Sequence, residues 1–301
     1  MSSRRAPLRI ALAALLSLVA AAACTSGSSV VGGRIPAVAG ENFYGDLVTR
    51  VGGDRVGVSS IISDPAVDPH TYESSPANAE AVADASLVVE NGLGYDAFLG
   101  ALLAASPRSN RRVVDVQQLL GLPDGANPHL WYDPATMPKV ARAVTDALDA
   151  IEPASTSTFE ANLETYLDSL TPIATQIASI RTRHPGAPIA YTESVPGYLV
   201  EALGFQNLTP AGFSRAVENG TDPAPVDVAA EQDLITGHKV RLLLYNSQVT
   251  SPITESVKRM AVTAGIPVVG VSETIPVSGQ SYVDWQLAQL DSIDRVLGGG
   301  Q

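Results

Sequence analysis

The chain reads as an α/β protein: two β/α lobes with parallel sheets, joined by one long helix. Three observations lead there. Short apolar runs alternate with amphipathic stretches from Ile35 to about Ile151, and the alternation resumes from Ile189 to Leu297. Between them lies an apolar stripe at spacings of three and four, the signature of a helix. Alternation of this kind implies a parallel sheet covered by helices, with ligands bound beyond the C-terminal strand ends. No internal repeat of domain-building period is present.

Taken in order, residues 35–39 are expected as a strand, 42–51 as a helix and 56–62 as a strand. Ser75-Pro76 starts the next helix, with a serine cap and proline at the first helical position. Residues 87–90 form a short buried strand, 95–105 a helix and 113–116 a strand. Asp133-Pro134 is expected to cap a helix running to about Ile151. Ser157-Thr158-Phe159-Glu160 has the form of a capping box. Behind it Leu163, Leu167, Leu170, Ile173, Ile177 and Ile180 predict a single helix of roughly 25 residues, about 38 Å long, stopped by His184-Pro185-Gly186. The second half is expected to contain strands at 189–191, 240–245 and 268–271. Its helices are expected at 196–203, 226–236, 253–264 and 282–297, with an irregular segment from Ala211 to Pro225.

The first residues stand apart from this pattern. Arg4, Arg5 and Arg9 precede an uncharged run from Ile10 to Ala23, the n-region, h-region and cleavage zone of a secretory signal. A run of about 14 residues is too short for a stable membrane span. The only cysteine, Cys24, follows Ala21-Ala22-Ala23 as in a bacterial lipobox, although Ala21 stands where leucine is usual. The expected organisation is therefore signal peptide 1–23, lipid-anchored tether 24–33, N-terminal lobe 34–153, connecting helix 154–184 and C-terminal lobe 185–301. Cys24 is the lipidation site of this reading.

Loss of residues 1–23 would take the formal charge from −12 to −15. Such a surface disfavours nucleic acid and attracts cations. With no cysteine in the body, disulfides and thiolate metal sites are excluded, so a metal must be held by nitrogen and oxygen.

Two of the four histidines follow proline in loops: Asp68-Pro69-His70-Thr71-Tyr72-Glu73 and Asn127-Pro128-His129-Leu130-Trp131-Tyr132-Asp133. Proline stiffens each loop, and neutral imidazole is the commonest metal-binding side chain. The pair points to a metal site built between loops. His184 and His238, at a helix end and in a Gly-His-Lys turn, read as surface residues.

Together with Gly52-Gly53-Asp54-Arg55-Val56 and the stretch Ala83 to Gly94, these two motifs closely resemble the zinc- and manganese-binding lipoproteins that feed ABC importers. The likeness runs from about Ile35 to the final helix. It implies an ion in the cleft between two lobes, with His70 and His129 as the imidazole ligands and Glu193 as the third ligand. The fourth is typically an aspartate in a turn before the last helix, where this chain has Gly279-Gln280-Ser281-Tyr282. Gln280 is the matching position; Glu273 or a water is the alternative, and Asp284 is expected on the solvated helix face. Trp131 and Tyr72 are expected to pack around the site or close the cleft.

A site of two imidazoles, one carboxylate and a neutral glutamine suits Zn²⁺ better than Mn²⁺, which gains more from carboxylates. The expected protein is an extracytoplasmic, lipid-anchored, monomeric solute-binding protein, not an enzyme. It would deliver Zn²⁺, or alternatively Mn²⁺, to a permease driven by a cytoplasmic ATPase. A metallohydrolase would need a general-base motif such as a His-Glu-x-x-His helix, and none is present. A surface adhesin is the remaining alternative; its expected aromatic patch is disfavoured by an aromatic content of 5%.

Overall fold

Strand β1 (Ile35–Glu41) is buried at every position but Pro36, as expected for a strand covered on both faces. It opens the N-terminal lobe of a computed structural model that describes residues 33–299. The signal segment 1–23, Cys24 and the tether up to residue 32 lie outside the described residues. From β1 the chain continues through α1 (Asn42–Gly52), β2 (Val56–Ile62), α2 (Pro76–Asp84), β3 (Leu87–Glu90) and α3 (Ala97–Ala105). β4 (Arg112–Asp115), α4 (Val116–Leu120) and α5 (Thr136–Ile151) complete the lobe. The strands form one parallel sheet in the order β2-β1-β3-β4. Ser75 caps α2 as expected, its hydroxyl accepting the Asn78 N–H. Asp133 does not begin α5 directly: its Oδ1 accepts the Ala135 N–H at 2.9 Å, and the helix starts at Thr136.

The connector is two helices, α6 (Thr156–Ser169) and α7 (Thr171–Arg183), and the single helix expected there is broken at Leu170. Pro172 has no N–H to offer the Asp168 carbonyl, and its ring crowds that carbonyl. The apolar stripe nevertheless continues across the break, with Phe159, Leu163 and Tyr166 buried on α6 and Ile173, Ile177 and Ile180 on α7. The capping box at Ser157 does not form. Glu152 and Pro153 carbonyls accept the Ser155 and Thr156 N–H groups through a 3₁₀ turn over Pro153–Ser155, so the helix begins two residues earlier without a side-chain cap.

The C-terminal lobe comprises β5 (Pro188–Tyr191), α8 (Gly197–Ala202), β6 (Gln206–Asn207), α9 (Ala211–Glu218) and α10 (Pro225–Thr236). β7 (Leu243–Asn246), α11 (Pro252–Thr263), β8 (Val268–Val271) and α12 (Tyr282–Leu297) follow. Its sheet is again parallel, β6-β5-β7-β8, the same order as in the first lobe. Helix α9 replaces the irregular segment expected after Ala211: Phe213 and Val217, one turn apart, are both buried. In the connector, α6 packs on α1 and α5, whereas α7 packs on α12, so each half serves one lobe.

Each sheet has a point where strand order reverses, between β1 and β3 in one lobe and between β5 and β7 in the other. Crevices at such points are where α/β sheets bind ligands. One apolar cluster containing Phe43, Trp131, Tyr132, Ile180, Leu244 and Trp285 runs through both lobes, so they share packing as well as a connector.

Candidate metal centre

His129 enters the seam between lobes from a loop that its neighbours anchor. The 3₁₀ turn Leu130–Tyr132 that follows is wholly buried. Trp131 stacks on Phe43 with ring centroids 4.3 Å apart, and its edge meets the His129 ring at 5.3 Å. The imidazole is fully buried. Its Nδ1 lies 2.7 Å from Asn127 Oδ1, which also accepts the His129 backbone N–H at 3.1 Å. Asn127 Nδ2 donates to the Ser194 carbonyl at 2.8 Å, which fixes the orientation of this amide. Oδ1 must therefore receive a proton from Nδ1, leaving the lone pair on Nε2. Nε2 faces Glu273 Oε2 at 3.5 Å.

The opposite wall comes from the ends of β5, β7 and β8. Glu193 lies two residues beyond β5 and Glu273 two residues beyond β8, and both are buried. Asn246, the last residue of β7, donates to Glu193 Oε2 at 2.9 Å and to Glu273 Oε1 at 2.7 Å. Tyr95, from the N-terminal lobe, donates its hydroxyl to Glu273 Oε2 at 2.9 Å. Burial and the Glu273 carboxylate hold that phenol well above its usual range, so it stays a neutral donor. Two buried carboxylates beside an imidazole are costly without a cation and matched to one.

Among the described residues, no three His, Cys, Asp or Glu side chains form a ready ion-holding group. The Asn246 amide stands between the two carboxylates.

His70 lies in the 3₁₀ turn Pro69–Thr71; its side chain is outside the described residues. Gln280 is not brought to His129. It sits in the turn before α12 and lines a separate cavity of about 390 Å³ with Asn42, Asp46, Ser60 and Ile275. Glu273, the alternative to it in the sequence, stands beside His129 instead. Tyr72 packs on Phe98 with ring centroids 4.9 Å apart and donates its hydroxyl to Asn78. His184 is buried rather than on the surface, with Nε2 3.4 Å from Asp294 Oδ1. His238 and Asp284 are exposed.

Sequence reasoning missed an acidic wall at the ends of β1 and β3. Glu41, the last residue of β1, is fully buried; burial, with Asp96 and Glu90 nearby, raises its carboxyl well above the usual range. Burial likewise pushes Glu90 to about 7. It pushes Asp96 to about 6, although Asp96 accepts the Asn91 and Gly92 N–H groups at 2.7 and 2.9 Å. The available signal was Glu90 at the end of the expected strand 87–90 and Glu41 two residues beyond the expected strand 35–39. A cavity of about 520 Å³, bounded by Tyr95, Asn127, Ser194, Arg215 and Glu218, opens onto the same seam.

Two parallel α/β lobes closing on a seam of acids and imidazole make this a two-lobed binding protein. The chain belongs to the family described as zinc-uptake complex component A, periplasmic, whose pattern it matches over residues 38–296. It is similar to the manganese-binding lipoprotein MntA of Halalkalibacterium halodurans, 30% identical over 64% of this chain and 69% of that protein. It is also similar to the manganese ABC transporter substrate-binding lipoprotein scaA of Streptococcus gordonii, 24% identical over 94% of this chain and 96% of that one. The fold is shared with the periplasmic zinc-binding protein TroA of Treponema pallidum, with a TM-score of 0.75 at 21% identity, covering 88% of this chain and 99% of TroA. A laminin-binding adhesin of Streptococcus agalactiae shares it at a TM-score of 0.73 and 19% identity, over 87% of this chain and 99% of that one.

Proposed function

We propose that this chain captures one divalent transition-metal ion between its lobes and hands it to an ABC-type importer. His70, His129, Glu193 and Glu273 are the donors. The convergence of His129 with Glu273 across the lobes, at 3.5 Å, carries the reading. Glu193 and Glu273 lie just beyond strand ends and His129 on an anchored loop, as capture and release require, and no water-activating base is needed. Lipidation at Cys24 would tether the protein outside the cytoplasm; no helix among the described residues is long and apolar enough to cross a membrane.

Of zinc and manganese, such an N/O site holds zinc the more tightly, by the general order of divalent affinities. Manganese is the second reading, and one observation favours it. Glu273, standing beside His129 where the sequence comparison offered neutral Gln280, gives a second carboxylate and hence more of the hard oxygen donors manganese prefers.

The deciding experiment is titration of metal-stripped protein from residue 25 onward with Zn²⁺ and Mn²⁺, alongside His129→Ala, Glu273→Ala and Gln280→Ala. One equivalent bound, abolished in the first two and kept in the third, supports the reading. Full affinity in Glu273→Ala with loss in Gln280→Ala would restore Gln280 as the donor. No uptake by the unaltered chain would remove the function.

A further inference from the structure

Gln248, two residues beyond β7, lies at a junction of both lobes. Its Oε1 accepts the Glu273 N–H at 3.0 Å, the Thr274 N–H at 3.2 Å and the Thr274 hydroxyl at 3.1 Å. Its Nε2 donates across the seam to the Val67 carbonyl at 2.7 Å. Its own N–H is received by Asn246 Oδ1 at 3.0 Å, the same Asn246 whose amide spans Glu193 and Glu273. Val67 belongs to the loop that carries His70. Within that loop Ala66 and Val67 bond back to Asp64, and Thr71 and Tyr72 bond to Asp68 and Pro69.

Nearer the connector, the lobes are joined by contacts of a different kind. Asn42 exchanges two hydrogen bonds with the Ile275 backbone, both at 3.0 Å, and the Tyr132 and Tyr282 hydroxyls bond carbonyls of Ser272 and Trp131. These rest on the shared core. The Gln248–Val67 bond instead ties a loop of one lobe to the turn that presents Glu273 in the other.

We infer that Gln248 is a positioning residue that couples the His70 loop to Glu273, so that donors from both lobes close on the ion together. This rests on the metal-capture reading for its purpose, though not for its geometry. Three of the amide's four bonds lie within the C-terminal lobe, so the turn at Glu273 stays built when the lobes part. Of these four, the bond that opening must break is the one to Val67, along with the Tyr95–Glu273 and Asn127–Ser194 bonds elsewhere on the seam. Gln248 thus acts as a clasp, setting how long the ion is retained more than how fast it enters.

Two variants separate the halves of this side chain. Gln248→Met keeps its bulk and removes both donor and acceptor. Gln248→Glu keeps the acceptor for Glu273 and Thr274 but removes the donor to Val67. Hydrogen–deuterium exchange of metal-free protein should show faster exchange over residues 64–72 in both variants, and over 273–275 only in Gln248→Met. In stopped-flow with Zn²⁺ and a chelator, Gln248→Met should release zinc about five- to tenfold faster, the effect of the one amide bond that joins the lobes, with the association rate little changed. Unaltered exchange over 64–72 in both variants, or an unaltered release rate in Gln248→Met, would overturn the clasp. If the unaltered chain takes up no zinc, the capture reading falls and the exchange comparison still decides the clasp.

Discussion

The Tyr95 hydroxyl reaches across the seam and donates to Glu273 Oε2 at 2.9 Å. A residue of the N-terminal lobe thus orients a carboxylate of the other. Tyr95→Phe removes this donor and leaves the ring, whose centroid is 5.0 Å from that of Trp131. Hydrogen bonds to charged groups contribute about 1.5–3 kcal/mol, so zinc affinity should fall about tenfold or more. Competition calorimetry checks it, and equal affinity would contradict the assigned role of Glu273.

Asn127 holds the His129 tautomer and at the same time grips the Glu193 loop through Ser194. Asn127→Leu should lower metal affinity about 10–100-fold, the usual range for groups that orient a ligating histidine. Nitrogen-15 spectra of the imidazole should show a mixture of tautomers in place of the single Nδ1–H form. A variant that keeps one tautomer would show that Asn127 does not set it.

Gly197 opens α8 where a methyl group would sit 2.8 Å from Asn127 Nδ2. Gly197→Ala must push the Asn127 amide away or strain the helix start, at a cost of about 1–3 kcal/mol. If the contact is the cause, the double variant Gly197→Ala/Asn127→Ala should recover part of that loss, an interaction visible in a thermal double-mutant cycle. Simple additivity would place the cost elsewhere.

Glu231 is fully buried on α10, and burial pushes its carboxyl from 4.5 up to about 8, offset in part by the Thr209 hydroxyl. The folded protein therefore holds this proton more tightly than the unfolded chain. The stabilisation is complete below 4.5 and is lost as pH rises through 8. Glu231→Gln has no proton to hold, so it should exceed the parent in stability by on the order of 3 kcal/mol at neutral pH. The advantage should vanish near pH 4.5. Parallel urea titrations at both pH values decide it; a pH-independent difference would mean Glu231 ionises freely in the fold.

Much of this molecule was determined by local chemistry and is readable along the chain. The strand 56–62 and the helix 282–297 follow from residue periodicity, and the start of α2 from Ser75-Pro76, because burial period and capping depend on near neighbours. The break at Leu170 was equally local, written in Pro172 and overridden in the reading by the apolar stripe that continues past it. The two Pro-His loops stand out along the chain for the same reason, each stiffened by its own proline.

Which side chain of the last connection meets His129 was another matter. Glu273 and Gln280 stand seven positions apart there, and nothing in their immediate neighbours separates the one that meets the imidazole from the one that does not. Only the sheet order β6-β5-β7-β8 sets the end of β8 beside Asn246 and opposite Tyr95, and only lobe packing brings Glu273 within 3.5 Å of an imidazole 144 positions earlier. Contacts between distant segments depend on how the layers stack, and the tertiary structure decides that.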